Sequence, residues 1–229
     1  KYKGLAKFDG ISKWDYYNAY NTLLPGNDIQ AIAVDYAGNK WLCSDKGLVF
    51  FKDTAYSLFK SSTLLNDTVH AIAIDQSGKK WVGTIQGFYQ FDDTSWVTYL
   101  VENTSLASNY IGAMATEGNG KKWMGTAGGF TSFDGNKWTT YTDVSFTKYK
   151  VASVAVHSNG TKWIGTNGEG LLKFNDTTWT VYDTSNSPIP DNWILCTAVD
   201  ASGNIWFGTW SNGLVKFSGD SVWDFYISS

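Results

Sequence analysis

Short apolar segments alternate with turn residues along the whole chain, and their order recurs about every 40 residues. Each unit opens with small aliphatic residues, as in IQAIAVD, and continues with a segment such as KWVGT. A third segment such as GLLKF and an alternating aromatic segment such as WTVYD follow. Turn signals such as QSGK, ASGN and FND separate the segments. No helical period is sustained, so four short strands per unit are predicted.

Two aromatic stripes mark the repeat. The first, at spacings of 40, 42, 40 and 43 residues, comprises Trp41, Trp81, Trp123, Trp163 and Trp206. The second comprises Trp14, Tyr56, Trp96, Trp138, Trp179 and Trp223. A large ring that recurs at one structural position fills space between repeats efficiently. We therefore predict that both stripes belong to the core, in preference to an array that stacks on sugars.

Four antiparallel strands in a unit of about 40 residues are typical of a β-propeller blade, whereas solenoids use shorter units. The predicted fold is all-β, a β-propeller of four-stranded antiparallel blades with five complete blades plus a half blade, in a five- or six-bladed ring. We expect one domain over residues 1–229. The half blade spans 1–26, and the full repeats span 27–65, 66–108, 109–150, 151–191 and 192–229.

The half blade lacks its inner pair of strands. The segment GLAKFDGISKWDYY aligns with the third and fourth strands of a unit, while the last unit is complete at VWDFYISS. We expect the missing hairpin upstream in a longer parent protein, or from a partner chain. An isolated chain would then expose strand edges and tend to associate.

The repeat pattern I-x-x-I-A-x-D-x-x-G-x-x-W-x-G-T-x-x-G-L-x-x-F resembles the two-component-regulator propeller repeat, in five full copies and one partial copy. The resemblance implies a bacterial sensor or surface propeller that is extracellular, periplasmic or on the cell surface. It also implies a module that binds a ligand or partner and performs no chemistry. Glu117 and His157 replace the Asp of the pattern, and Cys43 replaces a Gly. Turn formation is therefore the only role that we expect the Asp positions to share.

Composition narrows the classes of function. The net charge is −3, and all 18 basic residues are Lys, so a nucleic-acid partner is not expected. No apolar run reaches the ~18 residues of a membrane helix, so no membrane insertion is expected. The chain has only two His residues, His70 and His157, which is little material for a metal site. We predict structural roles for both, and no cofactor is expected. Cys43 and Cys196 are predicted to be free thiols.

Alternate strands run in opposite directions, so the fourth-to-first and second-to-third connections share one end of the blades. We call this end the first rim, and it carries stretches such as ENTSLASN and TSNSPIPDN. Binding residues concentrate on variable loops over a rigid scaffold. The predicted ligand-binding residues are Trp193, Trp210, Tyr110, Tyr149, Asn167, Glu169 and Asn212. The expected ligand is a glycan, a peptide or another surface protein.

Two other functions compete with binding. A structural or assembly role within a larger secreted or cell-surface complex is the first alternative. A lyase or glycosidase is the second, with Glu102, Glu117 and Glu169 as the candidate acids. The D-x-x-G-x-x-W runs resemble the aspartate box of sialidases, but those enzymes need an arginine cluster. The chain also has no G-x-S-x-G elbow, so it is predicted to be non-enzymatic.

Overall fold

The computed structural model describes residues 4–22, 24–52, 55–59, 68–141, 151–218 and 222–226. Every regular element in these ranges is a β-strand. The strands form one two-stranded sheet and five four-stranded sheets, each ordered by sequence from one edge to the other. The prediction of an all-β chain with five complete units and a half unit is confirmed.

The strands are numbered in chain order. The two-stranded sheet comprises β1 (Leu5–Phe8) and β2 (Trp14–Tyr17). The next two sheets comprise β3 (Ile29–Val34), β4 (Lys40–Ser44), β5 (Gly47–Lys52) and β6 (Ala55–Phe59), then β7 (Val69–Ile74), β8 (Lys80–Thr84), β9 (Phe88–Phe91) and β10 (Trp96–Tyr99). The fourth sheet comprises β11 (Ile111–Thr116), β12 (Lys122–Thr126), β13 (Gly129–Phe133) and β14 (Trp138–Tyr141). The fifth comprises β15 (Val151–Val156), β16 (Lys162–Thr166), β17 (Leu171–Phe174) and β18 (Trp179–Tyr182). The sixth comprises β19 (Ile194–Val199), β20 (Ile205–Thr209), β21 (Leu214–Ser218) and β22 (Val222–Tyr226).

The chain divides into two compact units, Lys1–Thr98 and Tyr99–Ser229. In the first unit, the opening strands β3 and β7 contact each other. In the second unit, β11 contacts β15, and β15 contacts β19. Alanines such as Ala71 and Ala113 are buried on these strands, where small side chains allow neighbouring sheets to approach closely.

The second strand of each four-stranded sheet is largely buried. All five residues of β8, β12 and β16 are buried. Each first strand pairs with its second strand through a register shift near its start, as between Ile111 and Ala113. Such a bulge bends the strand and changes the direction of its leading end. His70 lies at the bulge of β7, so its position is explained by the fold.

Three rings of the first aromatic stripe lie between successive sheets of one unit, namely Trp41, Trp123 and Trp163. Trp41, Trp81, Trp123 and Trp163 are buried, as predicted. Trp123 meets Phe174 of the following sheet edge to face, with 5.9 Å between ring centroids. Trp206 is also mostly buried, although less deeply than the other four rings, and it stacks on Tyr226 of its own sheet at 5.4 Å.

The second stripe stacks across the hairpin of the third and fourth strands. Trp138 stacks on Phe133 at 4.3 Å, and Trp179 stacks on Phe174 at 4.0 Å. These rings are half-buried because the fourth strand is the edge of its sheet. The core prediction is wrong for Trp14, which is 52% exposed. The side chain of Tyr56 lies outside what the structure describes.

Candidate ligand-binding site

Three fourth-to-first loops, residues 18–28 (described apart from 23), 100–110 and 183–193, share the same hydrogen bonds to the backbone. All three contain the sequence pattern N-[TS]-x-[LI]-x-x-N. The closing residue, Asn27, Asn109 or Asn192, accepts a backbone N–H from eight residues earlier at 2.6, 2.8 and 2.8 Å. These loops therefore vary less than the sequence suggested. The corresponding residues 60–67 and 142–150 lie outside the described ranges.

Each of these loops is also fixed at its centre. In the loop 100–110, Asn103 accepts the N–H of Leu100 at 2.7 Å, and the Thr104 hydroxyl donates to the Leu100 carbonyl at 2.7 Å. Leu106 is buried beneath the loop, as Leu24 and Ile189 are in the other two. The same backbone is thus a rigid platform that carries different outward side chains.

Trp193 and Trp210 form an exposed aromatic pair in the second unit. The backbone N–H of Trp210 donates to the carbonyl of Trp193 at 3.0 Å. The ring centroids lie 6.2 Å apart with an interplanar angle of 56°. The residues are 48% and 70% exposed, which is unusual for side chains of this apolar area. Two of the residues predicted to bind a ligand are therefore adjacent and accessible.

Asp191 joins the two loops that carry the Trp pair. Its carboxylate accepts the N–H of Trp193 at 3.0 Å and the hydroxyl of Ser211 at 2.7 Å. Burial raises the pKa of Asp191, but the hydrogen bonds from Trp193 and Ser211 outweigh it and hold the pKa below its usual value. The carboxylate is consequently charged at neutral pH where it joins the two loops.

Asn167 and Asn212 flank the pair and are partly engaged in its framework. Asn167 forms an isolated antiparallel bridge with Trp193. The side-chain amide of Asn212 donates to the carbonyl of Pro190 at 3.0 Å. Both residues are half-buried, so each exposes part of its side chain. The structure thus brings four of the predicted site residues onto three adjacent loops.

Glu169 lies in the same second-to-third connection as Asn167. Its backbone N–H donates to the hydroxyl of Thr166 at 3.0 Å, which closes the turn. The neighbouring N–H groups of Gly168 and Gly170 donate to the carbonyl of Asn192 at 3.1 and 2.9 Å. The connection is therefore bonded to the loop that ends at Trp193, and Glu169 is half-buried at its tip.

Of the two tyrosines predicted to bind a ligand, Tyr110 and Tyr149, only Tyr110 lies in the described ranges. Tyr110 occupies in its own repeat the position that Trp193 occupies in the last, and its carbonyl accepts the N–H of Ala127 at 3.2 Å. It is half-buried, whereas Trp193 is exposed. Tyr149 lies outside the described residues. The described site therefore rests on Trp193 and Trp210.

Asp191 and Ser211 are site residues that the sequence prediction missed. A signal for Asp191 was present, because an Asp two residues before Trp193 is typical of an Asx turn. The contribution of Ser211 had no such local signal. Its partner Asp191 is 20 residues away in sequence, and the two meet only when neighbouring connections fold against each other.

At the opposite end of the sheets, an acidic side chain holds the indole of the stripe Trp six residues later. The donor–acceptor distances are 3.1 Å for Trp41 to Asp35, 2.7 Å for Trp81 to Asp75, 2.9 Å for Trp123 to Glu117 and 2.9 Å for Trp206 to Asp200. The prediction that these positions share only turn formation is therefore wrong. Glu117 keeps the same bond because its longer side chain also reaches the indole.

Glu117 and Glu169 do not form a catalytic pair. Glu117 lies in the connection before β12, and its carboxylate is also 3.3 Å from Nζ of the buried Lys162. Glu169 lies in the connection after β16, at the other end of an equivalent strand. Glu102, the third candidate acid, is exposed in the loop 100–110. The structure therefore does not bring these candidate acids together as a pair.

Metal binding and membrane insertion are two further possibilities for the described ranges. Those residues contain no group of three or more His, Cys, Asp or Glu side chains that could hold a metal ion. They also contain no helix with the length and hydropathy needed to span a membrane.

Residues 188–211 match the protein family described as "Two component regulator propeller". The match confirms the resemblance given by the repeat pattern, and it covers both Trp193 and Trp210. No curated protein matches the chain by sequence.

Several solved structures are similar to the chain. The extracellular domain of the putative hybrid two component system BT3049 from B. thetaiotaomicron is 21% identical, with a TM-score of 0.81 over 99% of this chain and 34% of that one. PorZ, a surface component of the type-IX secretion system of Porphyromonas gingivalis, is 23% identical, with a TM-score of 0.70 over 94% and 36%. A virginiamycin B lyase from Staphylococcus aureus with quinupristin is 11% identical, with a TM-score of 0.76 over 97% and 76%.

These similarities establish the fold, which is a β-propeller of four-stranded antiparallel blades. The chain spans about a third of the length of the first two structures. Similar folds carry binding modules and enzymes alike, so function has to be argued from the site.

Proposed function

We propose that this chain is a non-catalytic binding module of an extracellular, periplasmic or cell-surface bacterial protein, and that its ligand contacts Trp193 and Trp210. The observation that carries the proposal is the exposure of two hydrogen-bonded Trp residues whose rings lie 6.2 Å apart. The likeness to extracellular and surface components of bacteria supports the location and the class of function.

The Trp pair has the properties of a recognition surface. Large aromatic rings bury much apolar area on binding, and their few rotatable bonds cost little entropy. The backbone bond from Trp210 to Trp193 and the Asp191 carboxylate hold the pair before a ligand arrives. A preorganised surface binds more tightly because less freedom is lost on association.

The chemistry around the pair suits a ligand with an apolar face and polar edges. Asn167 pairs with Trp193 through the backbone, the Asn212 amide donates to Pro190, and the Asp191 carboxylate accepts the Trp193 backbone N–H, so polar side chains lie on the loops that carry the rings. A sugar ring presents such a face and such edges, and so does an extended peptide or a loop of a surface protein. We therefore propose a glycan, a peptide or a surface protein as the ligand.

The electrostatics of the site favour binding over catalysis. A general acid needs a carboxyl group whose pKa is raised so that it holds a proton at neutral pH. The pKa of Asp191 is instead lowered, after hydrogen bonds overcome the effect of burial. The charged carboxylate supports positioning of loops and ligand.

An assembly function is the alternative, and one observation favours it. Phe8, Trp14 and Tyr16 form a stacked ladder on the β1–β2 hairpin, with centroid distances of 4.7 and 6.4 Å. All three side chains are exposed. Contiguous exposed aromatic area marks interaction surfaces in soluble proteins. This hairpin would then dock the chain within a larger complex.

One experiment separates the two functions. The wild type, a Trp193→Ala/Trp210→Ala variant and a Trp14→Ser/Tyr16→Ser variant are applied to a glycan array and to a pull-down from the bacterial surface fraction. Binding that disappears only in the first variant supports the ligand-binding proposal. Binding that disappears only in the second supports assembly, and retention by both variants contradicts both functions.

A further inference from the structure

Successive sheets within each unit meet through the same contact between aromatic rings. A Phe near the end of the third strand packs against two rings of the preceding sheet. One of these rings is the stripe Trp, and the other is the aromatic residue that ends the fourth strand. Three such contacts, with ring centroids 5.0–6.3 Å apart, are Phe91 with Trp41 and Phe59, Phe174 with Trp123 and Tyr141, and Phe217 with Trp163 and Tyr182. We call the Phe side the inserting half of the contact and the Trp side the receiving half.

The last sheet carries a complete receiving half. Trp206 stacks on Tyr226 at 5.4 Å and 29°, as Trp163 stacks on Tyr182 at 5.8 Å and 25° in the sheet before it. The strand register is also the same in the two sheets. Tyr226 is 50% exposed, and its cross-strand partner Leu214 is exposed as well. The receiving half is therefore already formed and accessible to a partner.

The β1–β2 hairpin carries an inserting half. Phe8 pairs with Trp14 across the hairpin as Phe217 pairs with Trp223 in the last sheet, and the rings stack at 4.7 and 4.4 Å. The opposite face of the hairpin is occupied, because Tyr17 packs against a buried cluster of the next sheet. Phe8 is 45% exposed, whereas Phe217 is 3% exposed. The hairpin thus presents to solvent the rings that the last sheet inserts into its neighbour.

We propose that the chain associates head to tail with a second copy of itself. Phe8 and Trp14 of one copy would pack against Trp206 and Tyr226 of the other, as the inserting and receiving halves do between sheets. A second copy fits because one chain displays both halves of a contact that recurs within its own units. Exposed contiguous aromatic area of this kind marks interaction surfaces.

The inference names a partner for the aromatic ladder of the β1–β2 hairpin, which the assembly function left open. It does not use Trp193 or Trp210, so it stands whether or not the proposed ligand-binding function holds. The rings are large, and each would bury roughly 150–250 Å² on association. Their stacking within each half also fixes them before the copies meet, which lowers the entropy lost on binding.

The proposed contact is heterologous, because it joins two different surfaces of the same chain. Each copy in a dimer would still have one free half, so association would continue beyond the dimer unless the assembly closes into a ring. An isologous dimer uses the same surface on both copies instead. Variants that each lack one half can therefore distinguish the two kinds of assembly.

The test is sedimentation velocity of the 229-residue chain over a series of concentrations. We expect the wild type to form species that grow with concentration. Phe8→Asp removes the inserting half and Tyr226→Asp removes the receiving half, so each variant alone should remain monomeric. An equal mixture of the two variants still contains one intact half of each kind. The mixture should therefore form a one-to-one dimer that does not grow further.

Two control variants make the loss specific. Tyr226→Phe should associate as the wild type does, because Phe59 occupies this position in the first unit. Tyr36→Asp adds the same charge at an exposed turn outside both halves and should also associate. The urea midpoint of each variant reports its folding, and restoration in the mixture requires that both aspartate variants are folded. The proposal is overturned if the wild type stays monomeric at every concentration, if either aspartate variant associates as the wild type does, or if their mixture stays monomeric.

Discussion

Trp123 donates its indole N–H to the carboxylate of Glu117, with 2.9 Å between Nε1 and Oε1. Trp123 is fully buried, so this donor would otherwise be removed from water without a partner. The bond explains how a ring with a polar group can recur in the core. It also fixes the turn before β12 to the strand that follows it.

Replacement of Trp123 by Ala should destabilise the protein by ~3–5 kcal/mol, the usual range for a buried aromatic side chain. The change opens a cavity between two sheets and removes one of the two edge-to-face partners of Phe174. The free energy of unfolding in urea measures the effect. Tyr36→Ala, at a residue that is 77% exposed, is the control and should cost less than ~0.5 kcal/mol. A cost below ~1 kcal/mol for Trp123→Ala would show that the ring is not a core residue.

Glu117→Ala should cost ~1–3 kcal/mol, because it leaves the buried indole N–H of Trp123 without an acceptor. It also removes one of two carboxylates near Lys162, whose Nζ is 2.6 Å from Asp176. Glu117→Gln keeps an acceptor oxygen but not the charge, so we expect a smaller loss. Urea unfolding of both variants separates the two contributions. Equal losses would contradict a stabilising role of the indole bond.

The repeat spacing predicts the sheets well, because every blade must bury the same faces against its neighbours. The burial of Trp41, Trp123 and Trp163 follows from that alone. The exposure of Trp14 does not, since it depends on what covers the outer face of its own sheet. Similarly, the sequence predicts a turn at Asp35 but not its bond to Trp41, which forms only when the hairpin closes.

The candidate site is less predictable than the fold. Trp193 and Trp210 stand out in the sequence because they belong to neither aromatic stripe and lie in or beside loops of the first rim, and both are exposed. The bond between Asp191 and Ser211 spans 20 residues and two connections, so no local pattern encodes it. Long-range polar contacts of this kind arise from the packing of loops, which the repeat leaves unspecified.

Stability should fall in acid partly through Asp200. Hydrogen bonds from the side chains of Trp206 and Asn204 lower the pKa of Asp200 from its ordinary value of 3.8 to about 2. Because the folded-state pKa is lower than the unfolded one, the stabilisation is fully present above 3.8 and is lost as the pH falls toward about 2. The thermal midpoint, measured across this window, should decline less steeply in Asp200→Asn than in the wild type. Identical slopes would contradict the assignment.

The two thiols should differ in reactivity. Cys43 is buried beside Trp41, and burial raises the pKa of its thiol, so its thiolate is scarce and inaccessible. Cys196 is exposed on β19. A thiol reagent should modify Cys196 alone in the native protein and both residues in denaturant without reductant. Reaction at neither residue in denaturant would indicate a disulfide, and reaction at both in the native protein would place Cys43 at the surface.

The central claim is that Trp193 and Trp210 contact the ligand. The most direct measurement is the affinity, by calorimetry, of the ligand identified on the array or in the pull-down for the wild type, Trp210→Ala and Tyr36→Ala. We predict that Trp210→Ala weakens binding roughly 30-fold, as expected for an interface residue worth about 2 kcal/mol, and leaves the urea midpoint unchanged. Tyr36→Ala should bind as the wild type does. Wild-type affinity in Trp210→Ala and in Trp193→Ala would contradict the claim.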